Sequence, residues 1–192
     1  MERKFILTDK FVINSFGIKL FQIKCTKSFK YAQKGDFGGY VEKEGNLDQE
    51  NDAWVFGNAR VFGNARVSGN ARVSGDAWVS GDAWVSGDAW VSGDARVFGN
   101  AWVSGNAWVS GNADIENDNE HCGFDGFGSC NRHTHAYMTK EKKVEIICGC
   151  FRGSIEEFEK KVEETHSGTV YEKQYKSIIN VIKIKFGLTD FT

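Results

Sequence analysis

AWVSGDAWVSGDAWVSGD, residues 77–94, is one hexapeptide written three times. The same unit, Ala-(Trp/Arg)-Val-(Ser/Phe)-Gly-(Asn/Asp), runs ten times without insertion or deletion from Ala53 to Asn112. Within each unit Ala and Val stand two residues apart and face one side of a short strand, while the Trp or Arg between them faces the other. Ala and Val are therefore the interior. Gly followed by Asn or Asp tolerates positive φ and turns the chain once per hexapeptide. Three corners close a triangle, so coils of about 18 residues stack at roughly 4.8 Å. A propeller needs repeats of about 40 residues, and a period of six excludes it.

The expected fold is mainly β: a single-stranded, three-sided β-helix over residues 45–117, flanked by two caps. Gly45-Asn46-Leu47 and Asn51-Asp52 keep the register and predict a worn leading coil. Residues 1–44 alternate as in Lys4-Phe5-Ile6-Leu7-Thr8 and Ile18 to Ile23, around a turn at Asn14-Ser15-Phe16-Gly17, and predict a small N-terminal β cap. Residues 118–192 predict an α+β cap: a Gly-rich link (Gly123, Gly126, Gly128), strands over Arg132–Met138 and Lys143–Cys148, then two helices. Ser154-Ile155-Glu156-Glu157 is a capping box, with Ile155, Phe158 and Val162 on one face of the first helix. Tyr171, Tyr175, Ile178, Ile182 and Phe186 stripe the second, which Gly187 closes. Both caps would shield the open strand groups at the ends of the helix.

Charge is uneven along the chain. Nine bases stand against five acids in residues 1–44, four against eleven in 45–120, and eleven against ten in 121–192. A groove that tracks long DNA or RNA needs clustered basic charge, and the repeats are acidic. No run approaches the roughly 20 apolar residues that span a bilayer, and the first residues lead into a strand pattern. Five cysteines without small-scaffold spacing fit a reducing, cytoplasmic setting.

All six Trp occupy the outward position. A period of 18 sorts that position into three columns: Trp54, Arg72, Trp90, Trp108; then Arg60, Trp78, Arg96, Asp114; then Arg66, Trp84, Trp102. Ladders of this kind stiffen the stack, and Trp beside Arg one coil away allows cation–π contact. Rings left in water also make an apolar patch that marks an interface. Trp54, Trp90 and Trp84 are the expected oligomer contacts.

Chemistry is sparse. The four histidines, His121, His133, His135 and His166, lie outside the repeats, so a general base beside the coils has no obvious source. His121, Cys122, Cys130, His133, His135, Cys148 and Cys150 hold enough nitrogen and sulfur for zinc but lack paired Cys-x-x-Cys knuckles, and no metal or other cofactor is expected. A Cys-His nucleophile pair drawn from the same residues is a minor alternative.

The repeats resemble the left-handed β-helix of hexapeptide-repeat proteins, many of which are trimeric acyltransferases that bind acyl-coenzyme A between subunits. The opposite-handed helix of bactofilin-like polymers has a similar pattern. Phe5-Ile6-Leu7-Thr8-Asp9, Lys34 to Glu42, Gly128-Ser129-Cys130-Asn131-Arg132 and Cys148-Gly149-Cys150-Phe151-Arg152-Gly153 extend the likeness over the whole chain, which resembles uncharacterised bacteriophage and prophage proteins. Cys130, His133 and His135 depart from that group's pattern around Arg132, Thr134 and Tyr137. The resemblance implies a phage-encoded, non-enzymatic binding protein that counters host defence, by sequestering a nucleotide-like immune signal or by blocking a defence protein. A structural scaffold and an acyltransferase are the alternatives, and a homotrimer is the expected assembly. For a small anionic ligand, Trp102 and Trp108 would stack a base, Arg132, Arg152 and Arg96 would bind phosphates, and Thr134 and Tyr137 would meet a ribose.

Overall fold

In a computed structural model, which describes residues 2–189, the chain forms two compact units, Met1–Asn117 and Asp118–Thr192. The first unit is a β-solenoid of about four turns. Eleven two-residue strands recur every six residues. β4 (Trp54–Val55), β7 (Arg72–Val73), β10 (Trp90–Val91) and β13 (Trp108–Val109) stack as the first face. β5 (Arg60–Val61), β8 (Trp78–Val79), β11 (Arg96–Val97) and β14 (Asp114–Ile115) form the second, and β6 (Arg66–Val67), β9 (Trp84–Val85) and β12 (Trp102–Val103) the third. All pairings between coils are parallel and in register, so Trp90 sits beside Arg72 below and Trp108 above. These faces are the three columns expected from a period of 18.

The sequence pattern explains the stack. Val73, Val79 and Val85, on three different faces of one coil, are completely buried, as are Ala71, Ala77 and Ala83. Each coil bonds to the next through the backbone: Trp84 N–H donates to Ala101 O at 2.9 Å, Ser86 N–H to Val103 O at 2.9 Å and Asp88 N–H to Gly105 O at 2.9 Å. The corners need glycine for two reasons. Gly87 sits at φ +67°, and a Cβ there would stand 2.9 Å from Gly105 N. Asn and Asp beside the corners bond across coils, as Asn70 Nδ2 does to Asp88 Oδ1 at 3.1 Å.

The N-terminal segment does more than close an end. β1 (Phe5–Ile13) and β2 (Lys19–Cys25) form an antiparallel hairpin, and β3 (Phe37–Val41) pairs with β2. β3 then runs parallel to β5, with Tyr40 opposite Arg60 and Val41 opposite Val61. The second face thereby grows into a seven-stranded sheet. The leading coil thus starts at Phe37 rather than near residue 45, and passes through a bridge between Leu47 and Val67. Gly38 and Gly39 were the missed signal: a Cβ at either would meet backbone or side-chain atoms at 2.6 Å. The hairpin tip and the following loop also drape over the sides of the prism. Phe16 packs on Phe62 and Trp78 of the second face, and Phe29 packs on Trp54 of the first.

The second unit is a four-stranded antiparallel sheet, β15 (His121–Phe127), β16 (Arg132–Met138), β17 (Val144–Cys148) and β18 (Phe151–Gly153), with two helices, α1 (Ile155–His166) and α2 (Val170–Lys185). In the stretch read as a Gly-rich link, Gly123 and Gly126 belong to the edge strand β15 and Gly128 to the turn that follows it. Gly123 is required because His133 crosses it, and a Cβ would stand 2.7 Å from that ring. Ser154 and Glu157 form the expected capping box, and Thr169 caps α2 by accepting from Glu172 N–H. Ile155, Phe158 and Val162 meet Tyr175, Ile178 and Ile182 over Ala136 and Ile146 of the sheet. Among the described residues no helix is long and apolar enough to cross a membrane.

Candidate functional site

Once the coils are closed, the six Trp rings no longer have equal standing. Trp54 is 1% exposed, wedged between Phe5 and Phe29 in edge-to-face contacts at 6.3 and 5.3 Å. It cannot serve the intermolecular contact expected of it, because the chain's own N-terminal segment already covers it. Trp90 is half-buried, with the Arg72 guanidinium 4.5 Å from its ring centre on one side and Trp108 stacked at 5.1 Å on the other. Trp78 lies against Arg60 at 5.3 Å and under Phe16 and Phe62.

The third face is different. Trp84 and Trp102 stack at 5.3 Å, 7° from parallel, and are 42% and 52% exposed. Each indole is fixed by its own N–H, which donates to the serine of the preceding coil: Trp84 Nε1 to Ser68 Oγ at 2.9 Å and Trp102 Nε1 to Ser86 Oγ at 3.3 Å. The serine of the hexapeptide is therefore not filler. It locks the ring of the coil above, on the first face as well, where Trp90 Nε1 donates to Ser74 Oγ at 2.9 Å.

Two shallow grooves of about 490 and 500 Å³ flank this column and share Arg66 and Trp84. One is bounded by Glu44, Leu47, Asp48 and Ser68, the other by Lys43, Asn64 and Asp82. The Arg66 side chain is exposed and forms no ion pair or hydrogen bond among the described residues. Sequence reasoning passed over Arg66 as a contact residue, although the column that contains Trp84 and Trp102 begins with it.

The residues offered to a nucleotide do not converge. Arg96, Trp102 and Trp108 belong to consecutive repeats, so they lie on the second, third and first faces. Arg96 is moreover paired with Asp114 at 2.8 Å. In the second unit, Thr134 is completely buried with its hydroxyl donating to Cys148 Sγ at 3.2 Å. Tyr137 is completely buried too, and its hydroxyl donates to Glu145 at 2.5 Å. Neither hydroxyl can reach a ligand on the surface. The two residues are three apart on β16 and so point to opposite sides of the sheet. Arg152 is held by Glu145 through bonds of 2.8 and 3.3 Å. Of the set, Arg132 alone combines exposure with no hydrogen bond or ion pair among the described residues.

Three of the four histidines form a polar array on β15 and β16, and His166 lies at the end of α1. His121 Nδ1 lies 3.1 Å from His135 Nε2, and His133 Nδ1 lies 2.9 Å from Asp125. Among the described residues no group of three His, Cys, Asp or Glu could hold a metal ion. Burial pushes the Cys122 thiol up to about 11, which leaves little thiolate at neutral pH for nucleophilic attack.

A family model for the YdcK beta solenoid repeat matches residues 65–81, 89–105 and 95–111, all within the coils. The chain is a repeat β-helix protein. No curated protein matches it. The repeat likeness supports the scaffold and names no reaction.

Proposed function

We propose that this β-solenoid is a non-catalytic binding scaffold whose third face meets another protein. The observation that carries the reading is the Trp84–Trp102 pair, locked by Ser68 and Ser86 yet about half exposed beside the unpaired Arg66. Trp and Arg dominate the energetics of protein contacts, and rings already held in one rotamer lose little entropy on binding. The first occupant in this reading is a second copy of the chain, giving the homotrimer that the hexapeptide resemblance implies.

The wider role follows the resemblance of the end motifs: a phage-encoded, cytoplasmic protein that engages a host defence component. A protein target fits better than a free nucleotide-like signal, because the residues offered to base, ribose and phosphates lie on different faces or are buried. Acyl transfer is weaker still, since every histidine lies in residues 118–192 and none on the coils.

Light scattering coupled to size exclusion tests the reading at micromolar concentration. The expected mass is three times 21.5 kDa, falling to one chain for Trp84→Ala/Trp102→Ala with the fold unchanged. A monomeric wild type, or an oligomer indifferent to both substitutions, overturns third-face self-association.

A further inference from the structure

The second unit contains a cavity of about 200 Å³ between its sheet and its helices, lined among others by Arg132, Cys148, Cys150, Lys161, His166 and Tyr175. Its side chains are rich in donors, and among the described residues no carboxylate lines it. Phe158 and Val162 supply an apolar floor, which strengthens any charge interaction above it.

Two glycines at positive φ make room for the polar groups. Arg132 lies across Gly149 at φ +60°, where a Cβ would stand 2.7 Å from its Cδ and Nη1. Gly128, at φ +74°, leaves the space that the Tyr175 hydroxyl occupies. Tyr175 is itself buried, yet among the described residues its hydroxyl finds only Cys148 Sγ at 3.8 Å, a weak partner. Burial first, and then Cys148, push that phenol up to about 12, so it remains a donor at neutral pH. His166 stacks on Tyr175 with ring centres 5.5 Å apart. Arg132 has no acid partner among the described residues, whereas Arg152 is neutralised by Glu145.

An arginine fork without an acid partner among the described residues, beside a buried phenol, an imidazole and Lys161, whose ammonium is 3.7 Å from Glu164, is complementary to an anion with several oxygens. Sites for drug-sized ligands occupy about 300–1,000 Å³, so this smaller cavity suits an ion or the end group of a larger molecule. We propose that it binds a phosphate-sized oxyanion, as inorganic phosphate or as the phosphoryl group of a larger molecule.

Calorimetry on the full chain at constant ionic strength, with inorganic phosphate and with adenosine monophosphate, tests the site. The expected result is saturable 1:1 binding with Kd of about 1 mM or tighter for at least one of them. Arg132→Gln should weaken it tenfold or more, and Lys173→Gln, an exposed charge outside the cavity, less than twofold. Binding of the monophosphate alone identifies a phosphoryl end group, and binding of phosphate alone identifies the free ion. Tyr175→Phe keeps the ring and removes only the hydroxyl, so it tests the site even if Arg132→Gln misfolds; a threefold or greater loss is expected. Absence of saturation by either compound, or equal losses in Arg132→Gln and Lys173→Gln, overturns the proposal. Trp84→Ala/Trp102→Ala should bind like the wild type, which separates this site from the third face.

Discussion

The first and third faces of the prism are built from one hexapeptide and carry the same ornament. Two Trp rings stack one coil apart on each, at 5.1 Å for Trp90 and Trp108 and 5.3 Å for Trp84 and Trp102, nearly parallel in both. Their surroundings differ. On the first face the column continues through Arg72 to Trp54, and Phe29 and Tyr31 of the N-terminal segment close over that end. On the third face the column stops at the exposed Arg66, and both Trp rings stay about half in water. Repetition makes the ladder, and the non-repeating segment covers the Trp54 end of the first one.

What the faces share is the interior, so the largest effect should come from there. Val79→Asp places an unpaired charge at a fully buried site. It should cost on the order of 4 kcal/mol or more and unfold the coils, abolishing the difference between the faces. Loss of the β signal in circular dichroism, with early urea unfolding, is the readout.

The next substitutions compare one repeat position on two faces. Trp54→Ala empties a buried site between Phe5 and Phe29 and should cost about 3–5 kcal/mol in urea denaturation. Trp84→Ala, at the same place in the hexapeptide, should cost less than about 1 kcal/mol. Equal costs would remove the distinction between a covered and an open ladder.

Lys4 probes the covering segment itself. Its ammonium donates to Asn51 O at 2.5 Å and Ala53 O at 2.9 Å, and burial lowers its pKa to about 8 from 10.5. A depressed lysine penalises the folded state fully below pH 8, and the penalty is relieved as pH rises from about 8 to 10.5, where the unfolded chain holds the extra proton. Cys25, Cys122 and Tyr175 are shifted upward and oppose this trend. The wild type minus Lys4→Met difference in stability should therefore rise by roughly 2–3 kcal/mol across that window. A flat difference would contradict a buried charged lysine at the clasp.

The corner between the third and first faces offers the smallest contrast and separates strain from contact. Gly87 and Gly105 share φ near +66°, at +67° and +65°, but only Gly87 has a coil packed against the place of a Cβ. Gly105→Ala should cost about 1–2 kcal/mol from backbone strain alone, and Gly87→Ala at least about 1 kcal/mol more in urea denaturation.

Much of the fold was legible because the repeat leaves no freedom. Six residues per side assign Val73, Val79 and Val85 to three faces before any coordinate is known, and the same rule separates Arg96, Trp102 and Trp108. Gathering those three around one ligand ignored that rule. The N-terminal clasp was harder to read, since Phe16 and Phe29 meet Trp78 and Trp54 through contacts distant in sequence, with no period to announce them. Tyr137 and Thr134 looked available because β16 is polar, yet their hydroxyls satisfy Glu145 and Cys148 inside the structure. The oxyanion cavity was invisible for the same reason: Arg132, Cys148, Lys161 and Tyr175 come from two strands and two helices.

Two double variants weigh the faces directly: Trp84→Ala/Trp102→Ala on the third and Trp90→Ala/Trp108→Ala on the first, each followed by sedimentation velocity and thermal melting. If the third face is the contact surface, its variant becomes monomeric with Tm within about 3 °C of wild type. The first-face variant then keeps the oligomer and melts earlier. An oligomer that survives loss of Trp84 and Trp102, or that depends on Trp90 and Trp108 instead, would contradict the assignment of the open ladder as the binding surface.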